Sequence, residues 1–248
     1  MSKNYVATDI HGDYNLYSQM MKYLSQQEDY HLYYLGDAID RGPDGYKIMK
    51  QLLNNPQVTY IKGNHEDMFV RAAFEFATKA YNEGESCVRY AKHFGNDTNL
   101  ILDTGIDMRL YDLNGGGPTF KAWIKDGCPM NIIHKINHLP LKASYNEFDM
   151  CHAGCTIQDW ENNDDQAFLW DRRHFGKKWY EGRTLIHGHT PIQSLPEDIR
   201  WSNHLSDWRA KPYQGYWSDM NKDYKYDLDA GREGLNLMRL ETKEIIYF

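Results

Sequence analysis

The stretch His31–Gly42, HLYYLGDAIDRG, passes without interruption from an apolar segment into two aspartates and an arginine bracketed by glycines. A short apolar run that stops at a polar, glycine-containing cluster reads as a buried strand carrying polar side chains at its carboxyl end. The same pattern recurs in NYVATDIHG from Asn4, VTYIKGNHE from Val58, EFDMCHAG from Glu147 and RTLIHGHT from Arg183. Five strand ends thus offer Asp9 and His11, then Asp37, Asp40 and Arg41, then Asn64 and His65, then His152, and finally His187 and His189.

Between the first strands, Leu16, Met20, Tyr23 and Leu24 recur at three- and four-residue spacing. Such spacing predicts helices over Tyr14–Gln27 and Gly45–Leu53. Strand, helix and strand joined by short links imply βαβ units and a largely parallel sheet, with ligands gathered beyond the carboxyl ends of the strands. Another helix is expected from Glu66 to Tyr81. Residues from about 67 to 135 read as a helical insertion, holding the loop LNGGGPTF and a segment around Ala122–Ile133, within one domain spanning 1–248. Past Pro191 the chain is irregular and rich in Trp, Asp and Tyr, and Trp201–Trp217, with Trp208 and Tyr213, could supply aromatic surface. The closing LNLMRL and EIIYF predict a hairpin around Glu241–Lys243, expected to add strands to a second sheet.

At 248 residues, with 41% hydrophobic and 25% charged residues, the chain can bury a substantial core unaided. No apolar run reaches the roughly 20 residues that span a bilayer, and the N-terminus has no export signal, so the expected location is the cytoplasm, with no membrane partner. Cys87, Cys128, Cys151 and Cys155 form no zinc-type pairs and are expected to be reduced thiols. A net charge of -7 argues against nucleic acid and anionic membranes as partners, because both require a basic surface.

Imidazole, carboxylate and amide oxygen, delivered together at successive strand ends, suit borderline divalent transition metals. Any one of these motifs alone is weak evidence, since a polar turn after a strand is common. Their recurrence raises a metal site above that bland alternative.

These residues resemble the phosphoprotein phosphatase group of the calcineurin-like metallophosphoesterases, including its bacterial and bacteriophage-type serine/threonine protein phosphatases. The family pattern GDxHG, GDxVDRG, GNHE, HGG or HAG, and GHTP stands here as Thr8–Gly12, Gly36–Gly42, Gly63–Glu66, His152–Gly154 and Gly188–Pro191. Thr8 replaces the first glycine of GDxHG and Ala153 the first glycine of HGG, and neither change removes a ligand.

The resemblance implies an α/β (α+β) fold, a four-layer α/β/β/α sandwich with two central mixed sheets. It also implies two divalent ions, manganese first with iron or zinc as alternatives. Asp9 and His11 would hold one ion, Asp37 would bridge, and Asn64, His152 and His189 would complete the second. In-line attack by a hydroxide shared between the ions would follow, with His65 as proton donor, Asp40 orienting it, and Arg41, Asn64 and Arg172 binding the phosphate. Arg173 is a close rival to Arg172. His187 precedes the glycine of GHTP and is expected beside the site rather than in it. LNGGGPTF resembles an NGG-x-T loop that lies near the active site in bacterial members.

The activity implied is phosphomonoester hydrolysis, with a phosphorylated protein or a small phosphoester as substrate. A symmetrical diadenosine tetraphosphate hydrolase is the rival, and a non-catalytic binding module on the same fold is a second alternative. The sequence carries no signal of oligomeric state.

Overall fold

A computed structural model describes residues 3–95, 102–195, 217–218 and 225–248. In chain order the strands are β1 Lys3–Ala7, β2 Tyr30–Tyr34, β3 Val58–Tyr60, β4 Lys142–Tyr145, β5 Phe148–Cys151, β6 Thr184–His187, β7 Trp217–Ser218, β8 Lys225–Asp227, β9 Asn236–Arg239 and β10 Glu244–Tyr247. The helices used below are α1 Tyr14–Ser25, α2 Gly45–Leu53, α3 Asn64–Asn82, α4 Cys87–Ala91, α5 Ile106–Leu113, α6 Gly117–Lys125, α7 Met130–Asn137, α8 Ile157–Asn162 and α9 Asp165–Trp170. Trp208 and Tyr213 lie outside the described residues.

Two five-stranded sheets form, in the orders β10-β9-β1-β2-β3 and β4-β5-β6-β8-β7. In the first, β1-β2-β3 run parallel with antiparallel β9 and β10 on one side; in the second, β5-β6-β8 run parallel with antiparallel β4 and β7 at the two edges, so both are mixed. Period-two alternation sorts side chains between layers. Val6 and Met238 from the first sheet pack with Phe148, Met150, Ile186 and Tyr226 from the second. Tyr5, Ala7 and Leu237 point the other way, onto a core shared with helical Met20, Leu24, Ile48 and Phe69. On the far side of the second sheet, Cys151 and Leu185 pack with Ala167 and Phe168. The result is the expected helix, sheet, sheet, helix order.

The helices between the first strands begin and end for local reasons. Asp13 caps α1, accepting from the Asn15 and Leu16 N–H groups at 2.9 and 3.0 Å. At the start of α3 the Glu66 carboxylate reaches back to the Gly63 N–H at 2.9 Å, so this helix begins at Asn64, two residues before its expected start. From Asn64 to Asn137 every regular element among the described residues is helical.

Two expectations about segments are corrected. In LNGGGPTF only Asn114–Gly116 lies outside helix, because Pro118 stands in the first turn of a helix, α6, that starts at Gly117. The terminal hairpin exists but extends the first sheet, pairing β9 with β1 through Tyr5–Arg239 and Val6–Met238. Glu241, in its turn, fastens it there by accepting from the Asn4 backbone and side-chain N–H groups, both at 2.9 Å.

Glu66 does more than cap. Its fully buried carboxylate also accepts from the Asp37 N–H at 2.8 Å, the Ala38 N–H at 2.9 Å and the Tyr60 hydroxyl at 2.7 Å. An amide in place of this carboxylate would turn one acceptor into a donor facing N–H groups. Glu66→Gln is therefore expected to lower unfolding stability by about 2–3 kcal/mol, read from urea denaturation.

Candidate metal centre

Strand ends β1, β2, β3, β5 and β6 converge on one rim, and the backbone there bends sharply. Asp9, His11, Asp37, Asp40, Arg41 and His189 all have positive φ, between 45° and 70°. Such conformations are costly for non-glycine residues and persist only when the surroundings hold them. A ladder of backbone hydrogen bonds does so here: Asp9 N–H to Gly36 O at 3.1 Å, His11 N–H to Asp37 O at 3.0 Å, Gly12 N–H to Ala38 O at 3.0 Å and Gly42 N–H to His11 O at 2.9 Å. Gly36 is required by contact as well as by φ, since a Cβ there would meet the Gly63 Cα at 2.5 Å.

Asp37 is the centre of the side-chain cluster. Its carboxylate lies 3.6 Å from His11 Nε2, 3.4 Å from His152 Nε2 and 3.8 Å from His65 Nε2. Asp9 Oδ1 is 3.9 Å from His11 Nε2, while Asp9 Oδ2 accepts from the His189 N–H at 2.9 Å and the Thr8 hydroxyl at 2.5 Å. Asn64 Oδ1 sits 2.9 Å from His152 Nε2 and 3.0 Å from His189 Nδ1. All six residues expected to hold metal are therefore together. Two groups within the cluster, His11, Asp37 and His65, and Asp37, His152 and His189, bring one ligand atom each within 4.8 Å of the others.

The donor chemistry fits cations. His11 Nδ1 faces Ile39 O at 3.1 Å and His152 Nδ1 faces Leu35 O at 2.8 Å, so each imidazole donates there and turns its Nε2 lone pair toward Asp37. Lone pairs then face carboxylate oxygen, an arrangement that requires a proton or a metal ion between them. His189 Nε2 is buried without a hydrogen-bond partner. Burial lowers the His11 pKa to about 3, which keeps the imidazole neutral. Burial would raise Asp37, but His152, His65, His11 and His189 outweigh it and hold the carboxyl below its ordinary range.

Beside this cluster, Asp40 Oδ2 accepts from His65 Nδ1 at 2.8 Å, and both residues are buried. Burial alone would lower the His65 pKa, but the carboxylates of Asp37 and Asp40 raise it to about 9. His65 also stands within the first candidate ligand group, where Asp9 was expected. Its Nδ1 is engaged by Asp40, and Arg41 Nη2 lies 3.4 Å from its Nε2, a cation where a second ion would otherwise compete.

The two arginines after α9 differ. Arg173 is committed to Asp171 and, at 3.3 Å, to Asp159. Arg172 makes no such ion pair among the described residues, and its charge reaches His189 and Asp227. His187 points away from the ligands, with Nε2 3.1 Å from His174 Nε2. A cleft of about 920 Å³ opens at the rim, lined among others by His11, Tyr14, Arg41, Leu113 and Arg232.

Two residues at the site escaped the sequence reading. The Tyr111 hydroxyl donates to Asp40 Oδ1, and the Thr119 hydroxyl accepts from the Asp40 N–H at 3.0 Å. Gly115 O accepts from the Arg41 N–H at 3.0 Å. The NGG-x-T resemblance placed this segment near the site and was the available signal for Thr119; Tyr111 had none.

The chain is similar to known proteins. The chain is 42% identical over 137 residues to serine/threonine-protein phosphatase 2 of Escherichia coli (strain K12), a match covering 55% of this chain and 49% of that protein. The match thus spans about half of that relative's length. Among solved structures, one described as a diadenosine tetraphosphatase superposes with a TM-score of 0.60 at 14% identity, covering 100% of this chain and 93% of the other. A metallophosphoesterase from Sphaerobacter thermophilus superposes with a TM-score of 0.55 at 11% identity, covering 99% and 86%. At such identities these likenesses establish the fold alone. A family model for the calcineurin-like phosphoesterases matches residues 3–228, and the chain belongs to that family.

Proposed function

We propose that the protein is a metal-dependent phosphomonoesterase acting on phosphoserine or phosphothreonine in proteins. The observation that carries this reading is the Asp40–His65 pair, 2.8 Å apart, set against the Asp37-centred donor cluster. A proton donor beside a divalent-cation site is what ester cleavage at phosphorus requires. The serine/threonine specificity is supported by likeness to the Escherichia coli phosphatase.

Asp9, His11, Asp37, Asn64, His152 and His189 would hold two divalent ions, with manganese first and iron or zinc as alternatives given the mixed donor set. When bound, such ions polarise the phosphoryl group and acidify a water to supply the nucleophile. Arg41 and Arg172 grip phosphoryl oxygens, because a planar guanidinium pairs two of them at once. Asn64 would contact the same group. His65 gives the Nε2 proton to the departing oxygen while Asp40 holds its orientation. The four cysteines are free, in keeping with a reducing, cytoplasmic setting.

Arg232 in the same cleft favours, as a second reading, a substrate with a longer phosphate chain such as diadenosine tetraphosphate. Against it, the one Phe, Tyr or Trp ring lining that cleft among the described residues, Tyr14, is already covered by Lys47 Nζ at 3.2 Å from its centroid. A binding module without catalysis would have no use for the buried Asp40–His65 pair.

A substrate panel with added manganese, comprising an aryl phosphate, phosphopeptides, a phosphorylated oligonucleotide and diadenosine tetraphosphate, separates these readings. Turnover of phosphopeptide and aryl phosphate, abolished in Asp37→Asn, is expected; far faster turnover of diadenosine tetraphosphate would overturn the protein-phosphatase assignment. Manganese at a hundredfold excess over its Kd should stabilise the native protein by about 2.7 kcal/mol in thermal melts, and Asp9→Asn and His152→Ala should lose most of that gain. Arg172→Ala should lower kcat/KM about 30-fold, the equivalent of about 2 kcal/mol in charge-assisted hydrogen bonds, whereas Arg173→Ala should act chiefly on stability.

A further inference from the structure

The helices between β3 and β4 do more than cover one face of the first sheet. At the corner between α5 and α6 they grip the Asp40–Arg41 turn at three points. Tyr111 donates its hydroxyl to Asp40 Oδ1, Thr119 Oγ1 accepts from the Asp40 N–H at 3.0 Å, and Gly115 O accepts from the Arg41 N–H at 3.0 Å. Both gripped residues have positive φ, 70° for Asp40 and 61° for Arg41, so the turn needs outside support.

A carboxylate bound at one oxygen can still rotate about its Cβ–Cγ bond. Asp40 Oδ2 faces His65 Nδ1, and a bond at Oδ1 adds a second restraint on that rotation, beside the Thr119 hydroxyl that also reaches the carboxyl. The Tyr111 hydroxyl donates to Oδ1. Its ring is immobilised in turn: fully buried, 5.7 Å from the Phe69 centroid and 6.3 Å from that of Phe120. It also fills the space where any Cβ at position 116 would stand, which explains the glycine there. Burial, with the Asp40 carboxylate beside it, holds the Tyr111 pKa well above the ordinary tyrosine value, so the group remains a donor.

We propose that Tyr111 is a positioning residue for phosphoester cleavage: by holding Asp40 Oδ1 it fixes the carboxylate that orients His65 Nδ1, and so aims His65 Nε2 at the departing oxygen. The proposal rests on the reading of His65 as proton donor. It assigns the helical segment a part in the reaction, since Tyr111 belongs to α5 and reaches a strand-end residue 71 positions earlier.

The test compares wild type, Tyr111→Phe and His65→Asn on two substrates, with manganese present. Dinitrophenyl phosphate has a leaving group that departs without protonation; phenyl phosphate has one that needs it. Tyr111→Phe keeps the ring and its packing and loses only the hydroxyl. It is expected to lower kcat on phenyl phosphate about 10- to 30-fold, with KM little changed, and kcat on dinitrophenyl phosphate less than about 3-fold. His65→Asn should show the same pattern more steeply, by about 100-fold or more on phenyl phosphate. The ratio between substrates is internal to each protein, so partial unfolding or metal loss cancels from it. Equal losses on both substrates in Tyr111→Phe, or no loss, while His65→Asn keeps its leaving-group dependence, would overturn the role of Tyr111 alone. If His65→Asn shows no leaving-group dependence, the proton-donor reading fails and the proposal with it.

Discussion

One buried carboxylate joins two of the strand ends on which the site is built. Glu66 accepts from the N–H groups of Asp37, Ala38 and Gly63 and from the Tyr60 hydroxyl. An ionised carboxylate far from water is tolerable only when its lone pairs are satisfied, and here four donors satisfy them. The bond to Asp37 sets the backbone of the central residue of the cluster, and the bond to Gly63 sets the start of α3, which presents Asn64 and His65. Asp37 Oδ1 accepts from the His65 N–H at 3.1 Å, closing the same loop from the other side. The β2 and β3 ends therefore move as one unit, and the relative positions of Asp37, Asn64 and His65 follow from it.

The second sheet brings the remaining groups to this unit. His152 follows β5 and reaches Leu35 O across the interface at 2.8 Å, while His189 follows β6 and donates its N–H to Asp9. Each histidine is tied to the opposite sheet by a hydrogen bond, His152 through its ring and His189 through its backbone. The packing of the two sheets and the geometry of the donor cluster are thus one constraint: sliding one sheet over the other would break both. Asp9 and Asp37 are buried close together, and burial with the neighbouring Asp37 charge raises the Asp9 pKa, the pairing that a bound cation would relieve.

Much of this was legible in the chain because it is local. The five strand ends and their polar clusters appear where apolar runs stop, and α2 occupies the residues its spacing predicted. The six ligand candidates are brought together, as the ordered motifs implied. What was not legible depends on contacts between distant segments. Tyr111 is an ordinary helical tyrosine until α5 packs beside Asp40. Arg172 and Arg173 are equivalent on paper, and only the carboxylates of Asp171 and Asp159 tell them apart. The terminal hairpin was readable as a hairpin, yet its sheet was decided by β1 and by Glu241 meeting Asn4.

The central proposal is that Asp9, His11, Asp37, Asn64, His152 and His189 would hold two divalent cations around the Asp37 carboxylate, with Arg41 and Arg172 binding the phosphate. The most direct measurement is a crystal structure of the protein soaked with manganese and phosphate, with anomalous scattering recorded at the manganese edge. The account predicts two anomalous peaks flanking the Asp37 carboxylate, one toward Asp9 and His11 and one toward Asn64, His152 and His189, with phosphate held by Arg41 and Arg172. A single peak, peaks remote from Asp37, or phosphate bound away from both arginines would contradict it.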